Sequence, residues 1–204
     1  EKRKYPIGIT TFSEMVKQNY VYVDKTEYVY KMASSGKYYF LSRPRRFGKS
    51  LLVSTLKAYF EGEKELFENL AIGRLEKEWV SHPVIRLDLS MGKYYEFRQV
   101  HTIIGGLLRQ YEELYHVDVK DEYSYGDRLT NIIHAAYAKT GRQVVVLVDE
   151  YDAPMLDSIH KPDLQGQIRE RVRDLFSPLK GQADYLRFVF LTGISKFSQL
   201  SVFS

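Results

Sequence analysis

Short apolar runs and helical periodicities alternate along this chain. Tyr38-Tyr39-Phe40-Leu41 predicts a buried strand, and Val84-Ile85-Arg86-Leu87-Asp88-Leu89 a second. Gln143 to Val148 predicts a third and Leu186 to Leu191 a fourth. Between them the apolar residues fall at helical spacing. Leu51, Leu52, Leu56, Tyr59 and Phe60 mark a helix over 49–60. Phe97, Val100, Ile104, Leu107, Leu108, Tyr111 and Leu114 mark one over 96–115, with Gly105-Gly106 weakening its middle by about 1 kcal/mol per Gly relative to Ala. Leu129, Ile132, Ile133, Ala136 and Tyr137 mark one over 126–140, and Leu164, Ile168, Val172, Leu175, Phe176 and Leu179 one over 164–179. The Val144–Val148 run, four valines and a leucine, has no polar alternation, as in a strand covered on both faces. Strands joined by helical crossovers predict an α/β fold with a parallel sheet between helical layers.

The N-terminal part is less regular. Thr11-Phe12-Ser13-Glu14 has the form of a capping box, with Phe12, Met15 and Val16 facing the core. Tyr20 to Val23 is a short strand candidate. Asp24-Lys25-Thr26-Glu27 starts a second helix, with Tyr28, Val29, Met32 and Ala33 inward and Gly36 as its stop. Residues 1–36 therefore read as a helical and short-strand segment packed on a core of residues 37–204. Further on, Gly62 ends the 49–60 helix, 64–70 is a short helix, and Pro154 interrupts the loop after the valine-rich strand. The residues after Thr192 are too few for a helical crossover and another strand, so the sheet reads as truncated at its C-terminal end. The chain opens on Glu1 and not Met, which suggests a trimmed segment.

Composition narrows the class. A length of 204 residues with 44% hydrophobic positions suits one domain. Lys plus Arg is 30 against 26 Asp plus Glu, so the net charge of +4 permits nucleic-acid contact without arguing for it. There is no cysteine, which excludes disulfides and thiolate zinc sites and agrees with a cytoplasmic location. No apolar run approaches the ~20 residues of a membrane span, and the N-terminus carries no signal-type apolar region.

The chemistry concentrates in two places. Gly48-Lys49-Ser50 stands where the first strand passes through a tight loop into the 49–60 helix. Free N–H groups at a helix N-terminus, with the dipole behind them, form an anion site. A lysine adds charge for outer phosphates, and a serine hydroxyl can ligate magnesium. The phosphate-loop pattern G-x-x-x-x-G-K-[ST] wants a glycine five residues before Gly48, and Arg43 stands there. The loop holds Arg43, Arg45 and Arg46 beside Pro44 and Phe47. The competing reading is a chance tripeptide opening an ordinary helix. The second place is Asp149-Glu150, at the C-terminal end of the valine-rich strand, where ligands bind in open α/β sheets. Asp149 fits a magnesium-holding carboxylate and Glu150 a base for an attacking water. The competing reading is a solvated acidic turn. Asp88 ends the second strand and either reaches the same place or caps its own loop. The Arg169–Asp174 charge run reads as a solvated helix face.

Five motifs together resemble one family. They are Pro6-Ile7-Gly8-Ile9 with Phe12; Tyr22-Val23-Asp24-Lys25-Thr26; Arg43-Pro44-Arg45-Arg46-Phe47-Gly48-Lys49-Ser50-Leu51; Val148-Asp149-Glu150-Tyr151-Asp152-Ala153-Pro154; and Leu191-Thr192-Gly193-Ile194-Ser195-Lys196-Phe197. The chain resembles the AAA-ATPase-like P-loop proteins of bacteria and archaea over nearly its whole length. Arginine at the first-glycine position is part of that family pattern. The resemblance implies a three-layer P-loop NTPase core in which the strand bearing the last motif lies between the two Walker strands. It implies ATP bound by residues 43–51, magnesium on Ser50 and Asp149, Glu150 as the catalytic base and Thr192 as a polar sensor near the γ-phosphate. It also implies a covalently linked C-terminal effector domain of nuclease-like PD-(D/E)XK type in full-length relatives. Three functions follow for comparison: an ATPase driving an attached effector, a nucleotide-holding switch with little turnover, and a nucleic-acid module using Arg45, Arg46 and the Arg169–Arg173 face. The absence of an Asn/Thr-Lys-x-Asp guanine motif favours ATP.

Overall fold

The computed structural model describes residues 3, 11–18, 23–42 and 48–195. The helices are α1 (Phe12–Lys17), α2 (Thr26–Ser35), α3 (Lys49–Phe60), α4 (Ala71–Leu75), α5 (Arg98–Val100), α6 (Gly106–Leu114), α7 (Tyr125–Thr140), α8 (Ala153–Asp157) and α9 (Pro162–Phe176). The strands are β1 (Tyr38–Ser42), β2 (Val84–Asp88), β3 (Val144–Asp149) and β4 (Leu186–Gly193). They form one parallel sheet in the order β1-β4-β3-β2. The last strand thus enters between β1 and β3.

Alternation along the central strands sorts the core into two layers. Val145 and Leu147 of β3, with Phe188 and Phe190 of β4, pack against Phe12 of α1, Val29 of α2, Val53, Leu56 and Phe60 of α3, and Ile72 of α4. Val146, Val148, Val189 and Leu191 face the other way, onto α6, α7 and α9. Every residue of β3 is buried, as its unbroken apolar run requires. β1 is only half-buried, not buried as its sequence suggested, because it borders the described sheet and has a neighbour on one side. At the opposite border, the Tyr111 hydroxyl accepts from the Arg86 N–H and donates to the Arg86 carbonyl, covering the backbone of β2.

Several elements differ from the sequence reading for identifiable reasons. Thr11 stands at the N-cap of α1 but makes no side-chain cap; the Phe12 N–H donates instead to Ser54 Oγ of α3, 2.9 Å away. The 64–70 helix is a single 3-10 turn at Lys64–Phe67, and α4 follows as a separate helix. The 96–115 helix contains a π turn at His101–Gly105. There the buried Arg128 guanidinium donates to the Gly105 carbonyl and pairs with buried Glu112. Pro154 does not break the chain; it occupies the first turn of α8, where a missing N–H costs nothing. Of the Tyr20–Val23 strand candidate, residues 20–22 lie outside the described residues and Val23 is in no strand.

Candidate nucleotide site

Gly48 precedes α3 in the left-handed region (φ 71°, ψ 21°), which glycine adopts without strain. The turn delivers Lys49 and Ser50 to the first turn of α3, at the C-terminal end of the sheet. Lys49 is buried, at 5% exposure. Its Nζ donates to the Gly193 carbonyl at 3.3 Å and lies 3.5 Å from Glu150 Oε1. Ser50 is exposed at the mouth of this arrangement. Leu51 turns its side chain toward the core on the α3 side, and its carbonyl accepts from the Ser54 and Thr55 hydroxyls. Arg43, Pro44, Arg45, Arg46 and Phe47 lie outside the described residues.

The two acids are not disposed as neighbours on an extended strand. β3 ends at Asp149, which continues the face of Val145 and Leu147 and so faces the α3 side. Glu150 then takes φ +52°, outside the strand. Glu150 thus lies outside the strand alternation, and its carboxylate stands 3.5 Å from Lys49 Nζ. Thr192 is fully buried beneath that turn, its Oγ1 accepting from the Glu150 N–H at 3.2 Å and its carbonyl from the Tyr151 N–H at 2.8 Å. Buried Asp152 accepts from the Ile194 N–H, the Ser195 N–H and the Ser195 hydroxyl. Three consecutive residues of the acidic turn are thus fastened to the end of β4.

Asp149 is 3% exposed. Burial pushes its carboxyl up to about 6, although Arg86 beside it pulls the other way. Arg86 Nε and Nη2 donate to the same oxygen, Oδ2, at 2.9 and 2.8 Å. Sequence reasoning missed Arg86; its signal was a lone cation amid the alternating apolar residues of β2. Asp88, in register with Asp149, accepts from the Ser90 N–H and hydroxyl, which is the loop-capping reading.

Ser50, Asp88, Asp149, Glu150, Asp157 and Ile194 are among the residues lining a cleft of about 300 Å³. Its donors are hydroxyl and carboxylate oxygens, the hard ligands that magnesium takes. Among the described residues no group of three acids or histidines forms a closed cage. On α9, Arg171 pairs with Asp174 and lies over Phe97, while Arg169 donates to Gln165.

A parallel sheet with a lysine at the start of the helix after its first strand, an acidic strand end and an intervening strand with a buried threonine near its end defines a P-loop-type α/β domain. Residues 6–203 match the family described as "Predicted AAA-ATPase", and the chain belongs to it. It is also 38% identical over 204 residues to an "Uncharacterized protein in vnfD 5'region" of Azotobacter chroococcum mcd 1. The match takes in all of this chain and 39% of that relative. No helix among the described residues is long and apolar enough to cross a membrane.

Proposed function

We propose that this chain is a magnesium-dependent module that binds and hydrolyses ATP, and that it regulates an effector domain linked to it in a longer protein. The observation that supports this reading is the convergence of Lys49 and Glu150, 3.5 Å apart, beside Asp149 and Ser50 at the end of a buried parallel strand. Family membership and a relative far longer than the chain agree with it.

In this reading Lys49 leaves Glu150 and the Gly193 carbonyl for the β- and γ-phosphates. Ser50 and Asp149 hold magnesium, which supplies charge neutralisation at the phosphate oxygens when bound. Glu150, released from Lys49, accepts a proton from the attacking water. The water oxygen bonds to phosphorus as the bond to the ADP oxygen breaks. Thr192 holds the Glu150 amide and so sets where the base stands. Residues 43–47 would complete the phosphate loop.

The Lys49–Glu150 pair also favours a second reading, a nucleotide-holding switch, because a base engaged by a lysine is not available to water. Turnover distinguishes the two. Calorimetry on the parent and on Lys49→Ala tests the common part: the parent should bind magnesium-ATP, and Lys49→Ala should bind it at least tenfold more weakly, about 1.4 kcal/mol. Equal affinity in a folded Lys49→Ala protein refutes the site.

A further inference from the structure

Among the described residues lining the cleft, one cation has no role in that reading. Lys93 lines the same cleft as Ser50, Asp149 and Glu150, and among its described lining residues it is the single lysine or arginine, against Asp88, Asp149, Glu150 and Asp157. A terminal phosphoryl group entering so acidic a lining would meet its described positive charge at Lys93.

The loop carrying Lys93 is fixed on both sides. Asp88 and Ser90 close a turn before it, and the Leu89 N–H continues the ladder to the Asp149 carbonyl at 3.0 Å. Tyr94 is fully buried, its hydroxyl donating to the Leu89 carbonyl at 2.8 Å and its N–H to Asp157 Oδ2 at 3.2 Å. At Gly92 a Cβ would stand 2.8 Å from the Ile103 side chain, so the loop lies close on the π turn. The Lys93 backbone is therefore positioned, whereas its side chain is 59% exposed and meets Asp157 only at 3.8 Å. A long chain on an anchored loop, loosely held at the rim, can reach inward when an anion arrives.

We propose that Lys93 is a catalytic cation supplied by the chain itself, contacting the γ-phosphoryl oxygens as charge builds on them during hydrolysis. The proposal rests on the ATPase reading above. In the step it serves, the water oxygen bonds to phosphorus, the bond from phosphorus to the ADP oxygen breaks with its electrons passing to ADP, and the water proton passes to Glu150. Lys93 takes no proton; it offsets charge on the transferring group.

The test uses binding, because a group that acts in the transition state should discriminate its analogue from product. Calorimetry with magnesium-ADP, with and without aluminium fluoride, is run on the parent, Lys93→Met and Lys93→Arg. Lys93→Met should bind ADP as the parent does and ADP–aluminium fluoride roughly 100-fold more weakly, with Lys93→Arg restoring most of the loss. Lys93→Met binding the aluminium fluoride complex as tightly as the parent overturns the role of Lys93 and leaves the ATPase reading standing. A parent that binds no ADP, or gains nothing from aluminium fluoride, overturns the ATPase reading and this proposal with it.

Discussion

Glu150 is a glutamate in a backbone region that non-glycine residues enter at a cost of about 1–3 kcal/mol. The surrounding bonds hold it there: its N–H to Thr192, the Tyr151 N–H to the Thr192 carbonyl, and Asp152 to the residues after β4. The turn gives the two acids different partners, Arg86 for Asp149 and Lys49 for Glu150. On the proposed mechanism, Glu150→Gln should retain magnesium-ATP affinity within a fewfold and lose about 10²- to 10⁴-fold in turnover, since removing the base affects only the transition state. Single-turnover kinetics beside calorimetry read both quantities. Unchanged hydrolysis would remove Glu150 from the role of base. Both acids were legible from the run that precedes them. Their directions were not, because periodicity assumes the strand continues and here it stops at Asp149. Arg86 was hidden for a related reason: a charge in a half-buried strand reads as solvent-facing until its guanidinium is seen to reach diagonally across to the Asp149 carboxylate.

At the scale of elements, most strand and helix positions were legible from periodicity alone; the tertiary ties were not. The Asp24-Lys25-Thr26 motif shows the difference. Its sequence reads as a helix start, and α2 does begin at Thr26. Yet Asp24 Oδ1 accepts from the Thr26 N–H and hydroxyl, while Oδ2 accepts from the Ala71 N–H, and Thr26 Oγ1 accepts from the Ile72 N–H. One side-chain pair therefore serves the N-termini of α2 and α4, whose separation in sequence hides the link. Asp24→Ala should cost about 1–2 kcal/mol, the loss of a cap that satisfies two helices. Burial raises the Asp24 carboxyl, but the bonds from Thr26 and Ala71 and the charge of Arg74 outweigh it, so the folded value lies below 3.8. A depressed carboxyl adds stability above its unfolded value, and this is lost as pH falls through the folded value. Urea unfolding should therefore show the full deficit of Asp24→Ala near pH 7, shrinking below pH 3.8. A deficit that persists undiminished in acid would assign it to packing.

Across the whole molecule, the sheet order decides what the site can do. Helical crossovers and apolar runs predict parallel strands, but periodicity does not order them; the placing of β4 between β1 and β3 came from the family resemblance. That order brings Gly193 to Lys49 and Thr192 to Glu150, so three segments distant in sequence meet only in the folded sheet. A ligand held by all of them binds the folded state and not the unfolded chain. Linkage then gives about 2.7 kcal/mol of stabilisation at a hundredfold excess over Kd. For a domain of this size about 2–4 °C accompanies each kcal/mol, so saturating magnesium-ATP should raise the melting temperature by roughly 5–10 °C. Ser50 and Asp149 hold the metal in the proposed site, so ATP without magnesium should give a smaller shift and Asp149→Asn should lose the difference between the two. Lys49→Ala, bound at least tenfold more weakly, should show no more than about half the parent's shift with magnesium-ATP, and GTP should lag behind ATP. A melting temperature that magnesium-ATP leaves unmoved at millimolar concentration would mean that the convergence of Lys49, Ser50, Asp149 and Glu150 is a structural ion-pair network and not a nucleotide site.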